Sequence, residues 1–378
     1  MHKLIKSVFF SPLLTISFLH SSIPHMDSDR LISAYYENGS VVQTPPEPQM
    51  TSSEKAPSSN IFSYRPAIER TGFIFGSELL YWKLDEAGMD YAFQNNKPPA
   101  FRKGSDVESI VGNLLRVDFD WSPGVRIWGG YCIPDRYWEV EGDYTFYYTS
   151  SSKSTHIGTG ANASLVVTFA EFIGGEMEKV QSDFHLHYHT ARLHIARQFL
   201  VGDTIFLRFV SGLKGAWIDQ KWSVTYRGTN LVKSTHNNDW DYQAGGLHIG
   251  MDSDWYLGYG VSLFFNGDLA ALYGTHKTSS STKLSDNTGG PFQDFSPKDH
   301  RVVQTMQILG GIAWGKVFNY FTMRVFAAYE INVLFNIQEQ YRLHLAGNSA
   351  APLNPKVRIL TTSPVNLQGL TMGFLVEF

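Results

Sequence analysis

The last nine residues of the chain are Leu370-Thr371-Met372-Gly373-Phe374-Leu375-Val376-Glu377-Phe378. Apolar side chains occupy every second position from Leu370 to Phe378, and the positions between them are mostly small or polar. This alternation predicts a β-strand with one apolar face and one wetter face. A strand that ends the chain on an aromatic residue fits two folds. It is either the edge of a soluble sandwich or the closing strand of a bacterial outer-membrane barrel.

The composition favours the barrel. Aromatic residues make up 14% of the 378 residues and charged residues only 17%, which suits the aromatic girdles of a membrane barrel. Mean hydropathy is −0.18, as expected when strands hide their apolarity by alternation, and no apolar run of about 18 residues follows the first thirty. Cys132 is the only cysteine, so an intrachain disulfide is excluded. The net charge of −4 and the lack of a basic patch argue against nucleic acid as a partner.

The first seventy residues differ from the rest of the chain. Residues 1–26 resemble an export signal, with Lys3 and Lys6 before a short apolar core, although no A-x-A cleavage pattern follows. A non-cleaved anchor or a start at Met26 would also fit. Residues 27–70 are rich in proline and serine, which predicts a flexible periplasmic segment or a barrel plug. We therefore assign residues 71–378 to the barrel.

Alternation recurs along residues 71–378. We predict one strand over Leu114–Ile133, with Val117, Phe119 and Trp121 on its apolar face and a bend at Pro123. A later strand is predicted to turn at Ser253-Asp254, and polar loops are predicted over residues 276–300 and 341–365. A parity slip is expected near Thr190.

The connections between these strands alternate between long and short, with short turns predicted at residues 134–135, 200–203, 253–254 and 316–318. Short turns on one rim and long loops on the other are typical of an outer-membrane barrel. The fold class is thus all-β: a transmembrane antiparallel up-and-down barrel of about ten strands, or about twelve if residues 149–182 hide a hairpin. Closure also explains how long strands avoid sticky edges.

Charged and polar side chains lie opposite the apolar faces. An arginine or lysine on the lipid face would cost about 2–4 kcal/mol at the bilayer midplane, so these residues are predicted to point inward. They could line a channel and set its selectivity, or pair across a narrow lumen and block it. The predicted pore-lining set is Arg116, Asp118, Arg126, Glu139, Glu141, Asp143, Arg208, Lys214, Arg324, Glu330 and Asn332.

Five segments resemble one known family. They are Gly76-Ser-Glu-Leu-Leu-Tyr-Trp82, Val117-Asp-Phe-Asp-Trp-Ser-Pro-Gly-Val-Arg126, Gly212-Leu-Lys-Gly-Ala-Trp-Ile-Asp-Gln220, Asp252-Ser-Asp-Trp-Tyr-Leu-Gly258 and Gly369-Leu-Thr-Met-Gly-Phe-Leu-Val-Glu-Phe378. Together they resemble the major-outer-membrane-protein-like, pore-forming family of Legionella and chlamydia-related bacteria. The resemblance implies an outer-membrane barrel that conducts small solutes. Leu165–Phe172 departs from it in being more apolar than a surface loop, which suggests a constriction loop or a partner-binding site.

Other motifs suggest chemistry less directly. His185, His187 and His189 share one face of a strand and could hold zinc or copper, although a strand with polar rings at the membrane interface explains them as well. The run Gly310–Lys316 resembles a phosphate loop, but Val317 stands where that motif needs serine or threonine. The Glu139, Glu141 and Asp143 face could bind a divalent cation or form a solvated lumen wall.

We therefore expect a non-enzymatic porin of a Gram-negative cell outer membrane, with no catalytic residue, cofactor or metal. Its partners would be outer-membrane lipid, small hydrophilic solutes or ions, and the barrel-assembly machinery, for which Phe378 is the expected signal. A homo-oligomer is possible. The alternatives are a structural or adhesive barrel with a plugged lumen, and a surface hydrolase. The hydrolase would use residues such as His276, Asp294 and Asp299, although no G-x-S-x-G motif is present.

Overall fold

The computed structural model describes residues 72–95, 112–133, 138–157, 164–168, 177–201, 204–228, 233–284, 293–346 and 354–378. The predicted signal peptide, the proline-rich segment and the turn at Pro134-Asp135 lie outside these residues. The strands are β1 (Gly72–Glu86), β2 (Asp90–Asn95), β3 (Gly112–Arg116), β4 (Ser122–Ile133), β5 (Trp138–His156), β6 (Ser164–Val167), β7 (Met177–Val201), β8 (Ile205–Gly228), β9 (Lys233–Gly258), β10 (Val261–Leu284), β11 (Gln293–Phe295), β12 (Lys298–Val317), β13 (Thr322–Ala346) and β14 (Asn354–Glu377).

Ten of these strands form a closed antiparallel ring. Its order is β7, β5, β4, β1, β14, β13, β12, β10, β9 and β8, and pairing of β8 with β7 closes it. The strand that ends the chain pairs with β13 from Asn354 to Glu377 and with β1 from Val365 to Glu377, and Phe378 N donates to Phe73 O at 3.0 Å. An antiparallel barrel of about ten strands is therefore confirmed, and the first and last strands are neighbours, as an even strand number requires.

The outer surface of the ring carries an apolar belt. Its exposed members include Phe75, Leu79, Ile127, Leu193, Leu213, Leu247, Ile249, Leu269, Ile312 and Met372. Toward the rim with the long connections, the last aromatic side chains of the belt on their strands include Tyr81, Trp217 and Tyr273. Beyond them the outward positions carry residues such as Lys83, Asp219 and Lys277. The strands therefore continue past the lipid-facing belt into water.

The inside of the ring consists of two layers. Toward the short-turn rim lies a charged layer, described below. Toward the long-loop rim lies an apolar layer of buried side chains, so the inward positions of the strands are largely apolar in this half and charged in the other. Its large members that are at most 1% exposed include Leu80, Trp82, Leu84, Tyr147, Phe184, Leu186, Trp222, Tyr226, Tyr242 and Leu272.

A small sheet of β2, β3 and β6 lies at the long-loop rim, outside the ring; we call it the mouth sheet. Tyr91 and Leu165 are only 4% exposed and belong to the apolar layer, as does Met89 just before β2. Tyr226 Oη donates to Tyr91 O at 2.7 Å, and Gln338 Nε2 lies 3.1 Å from Met89 Sδ. The apolar run that begins at Leu165 thus joins the barrel interior through Leu165. β6 is not a ring strand, so the hairpin considered for residues 149–182 does not enlarge the ring.

The single strand predicted over Leu114–Ile133 is wrong. β3 ends at Arg116, β4 begins at Ser122, and the residues between them form no strand. Val117 and Phe119 are buried in the apolar layer, and the Phe119 ring meets Phe184 edge-on at 5.0 Å. The apolar residues alternate here because this segment crosses over the barrel interior and buries every second side chain in it.

The turn predicted at Ser253-Asp254 is also wrong, because β9 runs on to Gly258. The chain reverses at Gly258-Tyr259-Gly260, where all three residues have positive φ (108°, 53° and 81°). The predicted loops over 276–300 and 341–365 are largely strand as well, since β10 reaches Leu284 and β14 begins at Asn354. Above the belt both faces of β10 carry polar side chains, and the inward ones, such as Thr278 and Ser280, are buried. The apolar alternation that reveals a strand therefore disappears there.

Candidate functional site in the barrel interior

Arg126 on β4 lies at the centre of the charged layer. Its Nη1 donates to Glu78 at 2.5 Å and its Nη2 to Glu330 at 2.7 Å, while Nε donates to Thr145 at 2.9 Å. Glu330 is fully buried and also accepts from Thr371, Gln307 and Asn332 at 2.7, 2.6 and 2.9 Å. One guanidinium group on β4 therefore reaches a carboxylate on the neighbouring strand β1 and a second on β13, across the β1–β14 pair.

A second group of charges centres on Asp268 of β10. His248 Nδ1 lies 2.6 Å from Asp268 Oδ2, and Lys214 Nζ donates to Asp268 Oδ1 at 3.3 Å. Arg192 donates to Asp143 at 2.7 Å and reaches Asp268 at 4.0 Å. These contacts span the barrel from β5 and β7 to β10, so the paired side chains cross the lumen.

A third group centres on Arg208 at the start of β8. Its guanidinium contacts three carboxylates: Glu139 and Asp252 at 2.7 Å and Glu141 at 2.5 Å. His194 Nε2 lies 3.1 Å from Glu141, and Gln198 donates to Glu139. Beside this group, Arg324 donates to Asp254 through both terminal nitrogens, one of them at 3.1 Å.

Nine of the eleven predicted pore-lining residues meet in this layer: Arg126, Glu139, Glu141, Asp143, Arg208, Lys214, Arg324, Glu330 and Asn332. The structure places the other two elsewhere. Arg116 is exposed at the end of β3, and the Asp118 side chain is 65% exposed and pairs with the outward Lys83 at 3.3 Å. Both belong to the segment that leaves the ring, so the parity of the ring strands does not apply to them.

Sequence reasoning missed several inward residues. Arg192, His194, Asp252, Asp254 and Asp268 all point inward. The expected parity slip near Thr190 hid the first two, yet β7 keeps one parity throughout its pairing with β5. Asp254 falls in the turn predicted at Ser253-Asp254, and Asp252 directly precedes it. In each case an unbroken count of alternate positions along the strand would have found them.

The charged layer encloses a cavity of about 200 Å³ at the short-turn rim, which we call the cup. Its wall includes the first inward residues of several strands, among them Ile74, Phe206 and Arg324. The last two inward residues of β14, Leu375 and Glu377, also line it. Eight carboxylate residues line it against four arginines, a formal excess of four negative charges. Aromatic side chains complete the wall, and Arg324 stacks over Phe264 with its guanidinium carbon 5.3 Å from the ring centroid.

His185, His187 and His189 of β7 face outward and away from the cup, unlike His194 of the same strand. Tyr148 Oη lies 3.1 Å from His185 Nδ1, and Tyr144 Oη lies 2.6 Å from His189 Nδ1. Among the residues that the structure describes, no cluster of three histidine, cysteine or carboxylate side chains could hold a metal ion. Gly310–Lys316 lies within β12.

Of the residues considered for hydrolysis, His276 is buried, Asp299 is half-buried and Asp294 is exposed. His276 is 1% exposed, and its Nδ1 lies 3.5 Å from Asp299. Burial and the charge of Arg301 lower the pKa of His276, which lies above the belt. Another acid, Glu86 of β1, is buried and accepts a hydrogen bond from Gln220, and burial raises its pKa from 4.5 to about 8.

A closed ring of long antiparallel strands, apolar outside and charged within, defines an outer-membrane β-barrel. The chain belongs to the family described as Legionella pneumophila major outer membrane protein precursor, whose model matches residues 65–378. The family expected from the sequence segments is therefore confirmed, as is location in the outer membrane. No helix among the described residues is long and apolar enough to cross a membrane.

Solved structures with a similar fold are distant in sequence. The outer membrane protease OmpT from Escherichia coli is 8% identical, with a TM-score of 0.37, over 81% of this chain and 96% of that chain. A TodX mutant described as a monoaromatic hydrocarbon channel is 8% identical, with a TM-score of 0.31, over 81% and 90%. A FadL homologue from Pseudomonas aeruginosa is 6% identical, with a TM-score of 0.23, over 81% and 90%. These low scores assign no function to the chain. No curated protein matches its sequence.

Proposed function

We propose that the chain is a narrow outer-membrane channel for small hydrophilic solutes and ions, and that its resting state is closed. The observation that carries the proposal is the charged layer around the cup. Buried ion pairs contribute little to stability, and well-packed apolar side chains in their place are often neutral or stabilising. The long-loop half of the same barrel has such an apolar core. Ionic side chains around a cavity in the other half are therefore better explained by a path for polar solutes.

The closed state has two barriers in series. The first is the pairing of Arg126 with Glu78 and Glu330, all of which are at most 8% exposed. The second is the apolar layer, which is partly filled by Met89 and Tyr91. Both come from the segment that contains β2 of the mouth sheet. Because that segment comes from a connection and not from the ring, it can move without breaking ring hydrogen bonds. Opening would require this movement and a rearrangement of the Arg126 ion pairs.

The proposal includes no catalysis and no cofactor. Its partners are outer-membrane lipid around the belt, small polar solutes in the interior, and an assembly machinery that recognises the terminal strand with Phe378. Phe378 is 64% exposed and stands beside Phe321, with ring centroids 6.5 Å apart, so its side chain is accessible at the short-turn rim.

A second candidate is a permanently plugged structural or adhesive barrel. It is favoured by the apolar layer, because most of that layer comes from the ring strands themselves, including Trp82, Tyr147, Trp222 and Tyr242. Moving the mouth sheet alone would leave these side chains in place. The long-loop rim would then be a binding surface and the interior a rigid core.

Solute uptake by refolded barrels in lipid vesicles separates the two candidates. β1 and β4 are antiparallel neighbours, so a short hairpin linker can replace residues 87–121 and remove β2 and β3 of the mouth sheet. The channel predicts measurable uptake of a small sugar by the wild type and faster uptake by this variant. A matched control shortens residues 285–292, between β10 and β11, and should leave the rate unchanged. Vesicles that stay impermeable with both the wild type and the linker variant would refute the channel and support the plugged barrel.

A further inference from the structure

The cup has the charge and shape of a binding site for a positively charged ligand. Around Arg208 alone, three carboxylates share one guanidinium group at 2.5 to 2.7 Å. Across the whole cup, eight carboxylate residues face four arginines. In a partly dehydrated space, uncompensated like charges repel each other strongly, so this arrangement favours uptake of cations.

Several buried polar atoms in the wall have no hydrogen-bond partner among the described residues, and they include two donors, Trp128 Nε1 and Arg324 Nε. Two others belong to side chains of the charged groups described above. They are Asp143 Oδ1 and His194 Nδ1, in side chains whose residues are 8% and 7% exposed. Both residues line the cup. A buried polar atom without a partner costs about 1–3 kcal/mol, so a ligand or water that satisfies it is favoured. An acceptor at Asp143 and a ring nitrogen at His194 suit a ligand that carries N–H donors.

The wall also selects against a bare metal ion. No group of three histidine, cysteine or carboxylate side chains in the described ranges has ligating geometry. Instead, Trp128, Phe206, Phe264 and Phe326 alternate with the charged groups around the cavity. Aromatic faces attract organic cations and pack against short alkyl chains. Carboxylates together with aromatic rings are therefore the recognition chemistry of an amine with an apolar body.

We propose that the cup binds a small organic cation, such as an alkyl diamine, from the periplasmic side. The site opens at the short-turn rim, which in an outer-membrane barrel faces the periplasm. The inference rests on the proposed function in that the ligand would be a solute on the channel's path. Binding itself requires no opening of the Arg126 barrier or of the apolar layer.

Isothermal titration calorimetry of the refolded barrel in detergent tests the proposal, with 1,5-diaminopentane as the probe. Glutarate, a dianion of similar length, and magnesium chloride serve as ligand controls. We expect saturable binding of the diamine, weakened by added salt, and no binding of glutarate. Glu141→Gln and Asp252→Asn each remove one negative charge beside Arg208 and should weaken diamine binding by about tenfold or more.

The matched control is Asp219→Asn, an exposed carboxylate on the outer face of β8, which should leave the affinity unchanged. A folded wild-type barrel that gives no diamine binding would overturn the proposal, as would equal affinity for diamine and glutarate. If both interior variants fail to fold, the proposal is still tested on the wild type by the salt dependence of diamine binding and by the comparison with glutarate. A barrel that binds the diamine but conducts nothing would refute the channel and keep the cup, whereas conduction without binding would refute the cup alone.

Discussion

Replacing Arg126 with methionine should destabilise the barrel more than any other single change in the charged layer. The guanidinium is 4% exposed and lies between Glu78 and Glu330, which are 8% and 0% exposed. Methionine keeps much of the volume but leaves two buried carboxylates without a cation. Removing one partner of a buried ion pair typically costs 3–5 kcal/mol, so we expect a loss of about 3–5 kcal/mol in the free energy of unfolding.

The assay is urea unfolding in lipid vesicles, followed by tryptophan fluorescence and by heat-modifiable migration on a gel. A triple variant that combines Arg126→Met with Glu78→Gln and Glu330→Gln removes the stranded charges. It should recover more than half of the lost stability, because replacing all members of a buried ionic group is far less costly than removing one. The control Lys83→Met removes an exposed ion pair with Asp118 and should cost less than about 1 kcal/mol.

Two results would refute this reasoning. One is an Arg126→Met variant within about 1 kcal/mol of the wild type, which would mean that water reaches the carboxylates and that the layer is not closed. The other is a triple variant as unstable as the single one, which would mean that the guanidinium acts through packing and not through charge.

Further predictions concern the rim and the ring. Glu86 keeps its proton in the fold while the unfolded chain releases it, so wild-type stability should fall as pH rises from 4.5 to about 8. Urea titrations should show that Glu86→Gln removes this fall, up to about 4–5 kcal/mol. Asp85→Asn should retain most of it, because the charge of Asp85 raises the pKa of Glu86 less than burial does. Gly246→Ala should prevent assembly of the heat-modifiable barrel because the new methyl group would overlap the Ala271 carbonyl, whereas Gly245→Ala, with its nearest atom at 4.0 Å, should assemble normally.

Much of the fold follows from alternation alone. The alternation predicted from Leu370 onward is observed in β14, where Leu370, Met372 and Phe374 face outward and Thr371 is buried inside. Alternation works inside the belt because the two faces meet different solvents. It fails above the belt, where β10 and β14 extend through sequence that resembles polar loops.

The charged layer was predictable as a set of inward residues but not as a network. Parity places Arg126 and Glu330 inside, yet their contact depends on the order in which the ring closes and on the stagger of its strands. Parity also says nothing about the segment between β3 and β4. There Val117 and Phe119 alternate with polar residues because their side chains fill the barrel interior from the long-loop rim. Asp118 is therefore exposed although its sequence position matched the inward pattern.

The central claim is that the charged interior is a solute path closed at rest. Single-channel recording in a planar bilayer under a salt gradient tests it most directly. The account predicts brief openings. It also predicts a reversal potential whose sign indicates a preference for cations, because carboxylates outnumber arginines around the cup. The Glu141→Gln and Asp252→Asn variants should shift that potential toward zero. A silent bilayer with a correctly folded barrel, or a preference for anions, would contradict the account.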